Sequence, residues 1–423
     1  MNTRMTKRLA IIGGGAAGLM AAIAAGDRAR ECGAQVDITV FERDDRVGRS
    51  ILATGNGRCN FSNSKLEIDE YRNAEFVSST FDALGNPSFV LDTFEELGLL
   101  WREEPDGRLY PLANKASVVV DVLRAAVAEL GVHEACEREV AAVEPPREEG
   151  KPFTLRMSDG VFERADAVLL TCGGRWASSI GVGGIGGLSF EPLSPVLGPL
   201  RVVKRDIPLV RELDNIRIRC SIDLARDRGA GSKTVASERG ELMFRKYGVS
   251  GICVFNLSRF ARQGDVLRIC LLPDEVADDA AGFLAARQRM LSGRFGEPVT
   301  FEQMLRGILL PRVSEAVLKK GGFKPTSPFR KRDASPLAEL LVRFTLEVEG
   351  VGDPDICQVR RGGFSSRAIE PATMQVHACP GLFIAGEALD VDGPCGGYNL
   401  HWAWSSGAVA GRSAVDYMRG SFE

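Results

Sequence analysis

The feature that most constrains this chain is a glycine cluster that follows its first apolar segment. Gly13, Gly15 and Gly18 form the pattern G-x-G-x-x-G directly after the apolar run at residues 8–12. Between a strand and a helix, this pattern is typical of a turn that binds the pyrophosphate of a dinucleotide. The first glycine permits the tight turn, the second lets the backbone approach the phosphates, and the third allows close packing of helix and strand.

The residues after the cluster predict a βαβ unit. The stretch 16–30 is rich in alanine and has high helix propensity, whereas 36–41 is rich in β-branched residues. Ala16 and Ala17 would begin the helix, whose free N–H groups attract phosphate. The pattern therefore predicts a doubly wound α/β sheet with parallel strands.

An acidic residue closes the second predicted strand. Glu42 can accept hydrogen bonds from both hydroxyls of an adenosine ribose, and Arg43 follows it. Together with the glycine turn, this carboxylate predicts an adenine dinucleotide as the bound cofactor.

Charge and hydropathy exclude several classes of partner. The chain has 53 Lys and Arg against 56 Asp and Glu, a net charge of -3, without a long block of one sign. This balance predicts no nucleic-acid partner. The sequence contains no apolar run of about 18 residues, the length needed to span a bilayer, and no secretory segment. We expect a cytoplasmic protein that does not bind membranes.

Cysteine and histidine are too scattered to predict a metal site. Ten cysteines form no C-x-x-C pair, and the three histidines are distant from one another. This spacing argues against a Cys/His metal cluster and against a dithiol reductase. Reduced, scattered cysteines are typical of the cytoplasm.

The length predicts more than one domain, because single cores seldom exceed about 250–300 residues. Pro192, Pro195 and Pro199 predict a linker, which is followed by strand-like runs and by a helical segment at about 275–325. We therefore predict a cofactor domain formed by residues 1–193 and 350–423, with an inserted β-barrel-like and helical domain at 194–349. A second glycine pattern, Gly181, Gly183 and Gly186, follows no strand and is interpreted as a loop.

Two further segments resemble a known family. Residues 48–60 read GRSILATGNGRCN, which is similar to the G-K-K-L-L-x-T-G-N-G-R-C-N segment of the BaiN-like family of NAD(P)/FAD-dependent oxidoreductases. The resemblance spans nearly the whole chain and implies a Rossmann-like FAD-binding domain of the glutathione-reductase type. It implies that a loop over the flavin is formed by Arg49, Thr54, Gly55, Asn56, Gly57, Arg58, Cys59 and Asn60.

The second segment covers residues 381–400 and resembles the family's P-G-L-Y-F-A-G-E-x-L-D-V-D-G and G-G-Y-N-L stretches. The resemblance implies a helix start that offers N–H groups to the edge of the flavin where negative charge develops on reduction. The residues implied here are Gly386, Glu387, Asp390, Gly397, Tyr398, Asn399 and Leu400.

Smaller matches complete the predicted cofactor site. Residues 171–174 resemble the family's A-T-G-G turn and bring in Thr171, Gly173 and Gly174, while Val140 occupies the position of an adenine contact. Two departures stand out. Arg245 and Lys246 replace a threonine-histidine pair, and the segment 176–187 lacks the usual tyrosine-proline and aspartate.

The resemblance implies FAD as the cofactor, NAD(P)H as a transient electron donor and a small-molecule substrate. One activity of the family is reduction of a conjugated C=C bond in a steroid-like or other hydrophobic enone. Such a reaction needs a proton donor, for which Cys59 and Tyr398 are candidates, although both residue types also serve in packing. A tRNA-modifying flavoprotein and a flavin-bound sensor without turnover remain alternatives, and the sequence indicates no oligomeric state.

Overall fold

The computed structural model describes residues 6–148, 150–182, 185–227 and 231–420. The chain forms two compact units, one containing the residues up to Ser194 and those from Val359 onward, the other containing Pro195–Gln358. No helix among the described residues is both long and apolar enough to cross a membrane.

The strands are numbered in chain order as β1 Lys7–Ile12, β2 Val36–Phe41, β3 Ser62–Asn63, β4 Trp101–Glu103, β5 Arg108–Pro111, β6 His133–Ala135, β7 Val140–Glu144, β8 Phe153–Met157, β9 Phe162–Ala165, β10 Ala167–Leu170, β11 Phe190–Val196, β12 Leu200–Val202, β13 Arg217–Asp227, β14 Ser232–Arg245, β15 Gly248–Ser250, β16 Val266–Cys270, β17 Phe344–Val351, β18 Val359–Phe364 and β19 Leu382–Ile384.

The α-helices are α1 Ala16–Cys32, α2 Arg49–Ala53, α3 Ala74–Asp82, α4 Phe89–Glu96, α5 Ala116–Glu129, α6 Gly173–Ala177, α7 Ile207–Glu212, α8 Ile252–Ser258, α9 Asp274–Ala277, α10 Ala280–Phe295, α11 Phe301–Leu305, α12 Pro311–Lys320, α13 Ala334–Val342 and α14 Tyr398–Gly420.

A parallel sheet of order β19-β10-β1-β2-β6 forms the centre of the first unit. Residues 9–12 of β1 are almost entirely buried, as expected for a strand covered on both faces. Ile12 pairs with Phe41 and with Leu170, and Leu170 pairs with Ile384. Four strands therefore end at one edge of the sheet, where open α/β folds bind their ligands.

Helices α1 and α14 pack against each other through glycine. A Cβ atom on Gly407 would overlap the carbonyl oxygen of Ala17, and one on Gly411 would overlap that of Ala21. The two backbones therefore approach more closely than any larger residue would permit. This packing fixes the first helix relative to the last one.

The second unit contains a closed barrel of order β12-β15-β14-β13-β16-β17, and α10 packs on α13 beside it. Its buried core is made from the barrel strands together with these two helices and with α7, α8, α11 and α12. Val351 in β17 pairs with Leu200 in β12, so the predicted domain boundary after residue 349 falls inside a barrel strand. Arg245 and Lys246 lie where β14 turns into β15.

The predicted linker at 190–200 is wrong in its first part. Phe190–Val196 forms strand β11, which pairs with β18 in a two-stranded sheet. Pro192 and Pro195 are tolerated because such a strand has one edge without a ladder partner. The proline content alone could not distinguish an edge strand from a linker.

Candidate functional site

The glycine turn between β1 and α1 shows three different environments. Gly13 has a φ of 106°, and a Cβ there would lie 2.7 Å from backbone atoms of Thr171 and Cys172. A Cβ on Gly18 would overlap the carbonyl oxygen of Gly13. Gly15, which caps α1 and so precedes Ala16 and Ala17, has only the hydroxyl of Ser50 within 4 Å of its would-be Cβ. Gly13 and Gly18 are thus required for packing, whereas a Cβ on Gly15 would meet a single side-chain atom, the Ser50 hydroxyl, at 3.3 Å.

The hydroxyl of Thr171 connects this turn to the neighbouring strand. Its Oγ1 lies 3.0 Å from the carbonyl oxygen of Ile12 and 2.8 Å from that of Gly13, so its single proton is donated to one of them or shared between the two. The predicted Thr171 therefore helps to hold the shape of the turn.

The carboxylate of Glu42 faces the same turn. Its Oε2 accepts a hydrogen bond of 2.8 Å from the N–H of Gly14, and its Oε1 accepts one of 2.9 Å from the N–H of Asp44. Each carboxylate oxygen has a second lone pair, so acceptor capacity remains for ribose hydroxyls. The N–H of Arg138 donates to the carbonyl of Glu42, which brings buried Val140 of the adjoining β7 into this region.

The two predicted arginines beside this region have protein partners. The guanidinium of Arg43 stacks on the ring of Trp176, with 3.1 Å between its carbon and the ring centroid. Arg49 forms an ion pair of 3.3 Å with Asp45 and is largely exposed. The Arg43–Trp176 stack was not predicted, because the two residues lie far apart in the sequence.

The loop at residues 54–60 bends through left-handed backbone. Gly55, Asn56 and Cys59 have φ values of 56°, 57° and 59°, and Gly57 has 80°. The hydroxyl of Thr54 donates to the carbonyl of Ile51 over 2.7 Å and anchors the loop to α2. This geometry explains the glycine content of the segment.

The guanidinium of Arg58 binds side chains of the protein, and its positive charge is paired with the carboxylate of Glu104. Its Nε donates to Oδ1 of Asn114 over 2.6 Å, its Nη2 contacts the carboxylate of Glu104, and its guanidinium lies 4.0 Å from the ring centroid of Tyr110. Arg102 also donates to Glu104 over 3.0 Å. The predicted place of Arg58 in a loop over the flavin stays a prediction.

The environment of Cys59 is that of a core residue and does not favour the catalytic role suggested for it. Its side chain is 0% exposed, and burial raises the pKa of the thiol to about 12. The neighbouring Arg58 does not offset this effect, because its guanidinium is bound to Glu104. A thiol that stays protonated and shielded at neutral pH is not a nucleophile or a ready proton donor.

Asn60 has a buried amide with unused hydrogen-bonding capacity. Its side chain is buried, yet neither Nδ2 nor Oδ1 has a hydrogen-bond partner in the described part of the chain. Gly397 lies against it, since a Cβ on that glycine would be 2.7 Å from Oδ1 of Asn60. Buried amides are nearly always paired, so this one fits a bound polar group.

The segment after β19 faces α6 and α1. A Cβ on Gly386, which has a φ of 70°, would be 2.8 Å from Cβ of Ala17, and one on Gly174 would be 3.0 Å from the carbonyl oxygen of Glu387. Gly173 has a φ of 71°, and a Cβ added there would lie 3.9 Å from Oε2 of Glu387. The predicted glycines of two distant segments are therefore brought together.

The two predicted carboxylates in this segment are bound internally. Oε1 of Glu387 accepts from the N–H of Arg360 over 2.9 Å, and desolvation raises the pKa of Glu387. Asp390 is buried, pairs with Arg72 at 2.8 Å and accepts from the N–H of Gly362 over 3.0 Å. These contacts give Asp390 a structural role that its sequence position did not reveal.

The start of α14 is anchored by its own side chains. The hydroxyl of Tyr398 lies 3.3 Å from the N–H of Glu67 and 3.3 Å from the carbonyl of Lys65, and Asn399 exchanges two hydrogen bonds with the backbone of Gly393. Leu400 follows, partly buried. The catalytic interpretation of Tyr398 is not supported by this geometry, because its hydroxyl is already used in packing.

A buried His–Ser contact lies one turn into α14. Nδ1 of His401 is 2.8 Å from the hydroxyl of Ser62, and burial lowers the pKa of the imidazole to about 4. Asn63, next in β3, donates to the carbonyl of Gly396 over 2.8 Å. Strand β3 and the helix start are thus fastened together on both sides of Gly397. Neither Ser62 nor Asn63 was predicted, since β3 has only two residues.

The interpretation of the glycine pattern at 181–186 as a loop stays a prediction. Gly181 forms an isolated parallel bridge with Ala142, and Gly183 lies outside the described residues. No group of three or more His, Cys, Asp or Glu within the described ranges has the arrangement of a metal site.

The sequence matches the family described as "HI0933-like protein Rossmann domain" over residues 7–413. The chain belongs to this HI0933-like family. It is 32% identical to the 3-dehydro-bile acid Δ4,6-reductase of Clostridium scindens, covering 97% of this chain and 99% of that protein. These findings confirm the predicted resemblance, the Rossmann-type α/β fold and the class of flavoprotein oxidoreductases.

A second kind of relative has a different substrate. The ribosomal RNA dihydrouridine synthase of Escherichia coli is 28% identical, covering 94% of this chain and 95% of that protein. Among solved structures, a 3-ketosteroid Δ4-(5α)-dehydrogenase from Rhodococcus jostii aligns with a TM-score of 0.44 and 15% identity over 98% of each chain. A structural similarity this distant does not bear on the function.

Proposed function

We propose that this protein is an FAD-dependent reductase that uses NAD(P)H to saturate a C=C bond conjugated to a carbonyl group. The observation that carries this proposal is the unpartnered, buried amide of Asn60 beside Gly397, where a flavin edge would supply the missing partners. The substrate is a hydrophobic small molecule, either steroid-like or another enone, as the name of the Clostridium scindens relative suggests. The reaction takes place in the cytoplasm.

Each part of the cofactor has matching residues. The absence of a side chain at Gly15 and the N-terminus of α1 suit a pyrophosphate, and Glu42 suits the adenosine ribose. Asn60 and the N–H groups near Gly397 suit the polar edge of the flavin. Bound FAD supplies hydride chemistry, while the protein positions the ring and the substrate.

The second candidate function is synthesis of dihydrouridine in ribosomal RNA. Two relatives, at 28% and 26% identity, carry that name. The chemistry is related, because dihydrouridine is uridine whose ring C=C bond, conjugated to a carbonyl, has been reduced. The net charge of -3 favours the small molecule, since RNA-binding proteins usually present a basic face. A tRNA-modifying protein and a sensor without turnover are further alternatives.

Anaerobic spectroscopy of the purified protein tests the proposal. We expect a bound flavin spectrum that NADH or NADPH bleaches, and that a 3-oxo-4-ene steroid restores. If an unmodified ribosomal RNA fragment restores the spectrum of oxidised flavin and no enone does so, the second candidate is favoured. Failure of both nicotinamides to bleach the flavin would contradict an NAD(P)H-dependent reductase. Protein with Gly15→Ala, which should lack flavin, serves as the blank.

A further inference from the structure

Strand β5 contains a tyrosine whose hydroxyl has no hydrogen-bond partner within the described ranges of the chain. The Tyr110 side chain is 6% exposed, and its ring contacts the 54–60 loop, with Cε1 at 3.5 Å from the position of a Cβ on Gly55. Strand β5 pairs with β3 through Leu109 and Ser62, so the tyrosine is held beside the strand that follows Asn60. Its phenol therefore adjoins the loop predicted to cover the flavin.

The surroundings of the ring are charged. The Arg58 guanidinium lies 4.0 Å from the ring centroid and is fixed there by Glu104 and Asn114. A cation over the face of an aromatic ring is attracted to it, and a nearby positive charge favours the ionised phenol. This arrangement lowers the cost of leaving a negative charge on the tyrosine oxygen for a short time.

The groups that act on this phenol come from three segments. Burial raises the pKa of Tyr110, while Arg58 and Arg108 act to lower it and Glu104 and Cys395 act to raise it. The phenol is therefore protonated at neutral pH, and Arg58 and Arg108, which are themselves paired with Glu104 and Asp106, are the two cations that favour its conjugate base. A general acid must carry its proton before the reaction, and transfer of that proton is easier when nearby charge favours the conjugate base.

The other titratable groups around the loop do not share these properties. The Cys59 thiol is buried with a pKa of about 12. The Tyr398 hydroxyl is bound to the backbone of Lys65 and Glu67, and His401 is buried against Ser62. Compared with Cys59, Tyr398 and His401, Tyr110 has both a hydroxyl without a partner in the described residues and positive charge beside it.

We propose that Tyr110 is the catalytic proton donor, an inference that rests on the proposed reduction of a conjugated C=C bond. Bound FAD, once reduced by NAD(P)H, would supply the hydride for the β-carbon of the enone, and Tyr110 would give its hydroxyl proton to the α-carbon. The O–H bond breaks, the new C–H bond forms, and the electron pair stays on the phenolate oxygen. A proton from water then restores the phenol.

The holoenzyme with Tyr110→Phe tests this role, and Tyr417→Phe, at the far end of α14, is the matched control. We expect both variants to retain flavin and to be bleached by NAD(P)H at the wild-type rate. Reoxidation by a 3-oxo-4-ene steroid should slow by roughly 100-fold or more in Tyr110→Phe alone, the usual effect of removing a general acid. Reoxidation within about 3-fold of wild type would overturn the assignment of Tyr110.

A measurement independent of turnover locates the phenol. The protein contains five tyrosines, so ¹³C labelling of their Cζ atoms gives few NMR signals, and that of Tyr110 is the one absent from Tyr110→Phe. We expect this signal to shift when dithionite reduces the flavin, whereas that of Tyr417 stays in place. A Tyr110 signal indifferent to the redox state would contradict a position beside the flavin.

The outcomes separate this proposal from the proposed function. A wild-type enzyme whose reduced flavin no enone oxidises would overturn the proposed function, and the role of Tyr110 with it. If Tyr110→Phe does not hold FAD, all tyrosines can be replaced by the more acidic 3-fluorotyrosine. The rate of enone reduction should then begin to fall at a lower pH on the alkaline side of its pH profile. An unchanged alkaline side of this pH profile would overturn only the role of Tyr110.

Discussion

The Oε2 atom of Glu42 accepts a 2.8 Å hydrogen bond from the backbone N–H of Gly14, which joins the end of β2 to the phosphate turn. We expect Glu42→Ala to lower FAD affinity at least tenfold, because the ribose partner is lost. It should also reduce the free energy of unfolding by about 1–3 kcal/mol, since two N–H groups lose a charged acceptor. Flavin fluorescence after gel filtration and urea unfolding check the two effects. Undiminished FAD binding would contradict the assignment of Glu42.

The glycines of the turn offer a matched pair of substitutions. Gly15→Ala should leave the apoprotein folded, at a cost of about 0.5–1 kcal/mol for a poorer helix cap, because only Ser50 lies near the added methyl. FAD should no longer bind, since the methyl occupies the space for the pyrophosphate. Gly18→Ala should instead destabilise the fold itself, as its methyl meets the carbonyl of Gly13. Thermal unfolding and the flavin spectrum together distinguish these outcomes, and a yellow Gly15→Ala protein would refute the phosphate site.

The buried thiol of Cys59 should be chemically inert. With a pKa of about 12 and 0% exposure, it should resist alkylation by iodoacetamide at pH 8 while the more exposed Cys32 reacts. Cys59→Ala should keep enone reduction within about 3-fold of wild type, because no thiolate takes part. Peptide mass spectrometry measures the labelling. Selective modification of Cys59 in the native protein would show that this thiol is accessible after all.

His401 should make stability depend on pH. Burial lowers the pKa of its imidazole from 6.5 to about 4, so the unfolded chain takes up this proton first as the pH falls. The stability associated with neutral His401 is fully present above about pH 6.5 and is lost toward pH 4, a total of about 3 kcal/mol at 1.36 kcal/mol per pKa unit. His401→Gln should remove this slope. Urea unfolding of both proteins between pH 4 and 7 gives the difference, and parallel curves would contradict a buried neutral imidazole.

Local patterns predicted much of the cofactor domain. The glycine turn, helix α1 and strand β2 follow from spacing and propensity, because each is defined by residues adjacent in sequence. The roles of Asp390 and Tyr398 could not be predicted in this way. Their partners Arg72 and Lys65 lie more than 300 positions away, and the sequence shows the polar groups without showing which of them meet.

The same limit applies to Tyr110 and to strand β11. A tyrosine in a four-residue strand is unremarkable until folding places Arg58 over its ring. Pro192 and Pro195 indicate irregular structure when read alone, and only the pairing of β11 with β18 explains how they fit a sheet. Long-range pairing, rather than residue preference, decides these positions.

The contact between α1 and α14 has a consequence for biosynthesis. The ribosome makes α1 early, yet Gly407 and Gly411, which let α14 pack on it, emerge only after the whole barrel at 195–358. The alanine-rich face of α1 therefore has no α14 to pack against while the barrel is translated. During this time it is exposed or bound by a chaperone, and the barrel can fold first. The proposed FAD site needs residues that precede the barrel in the sequence and residues that follow it. FAD can therefore bind only when synthesis of the chain is nearly finished.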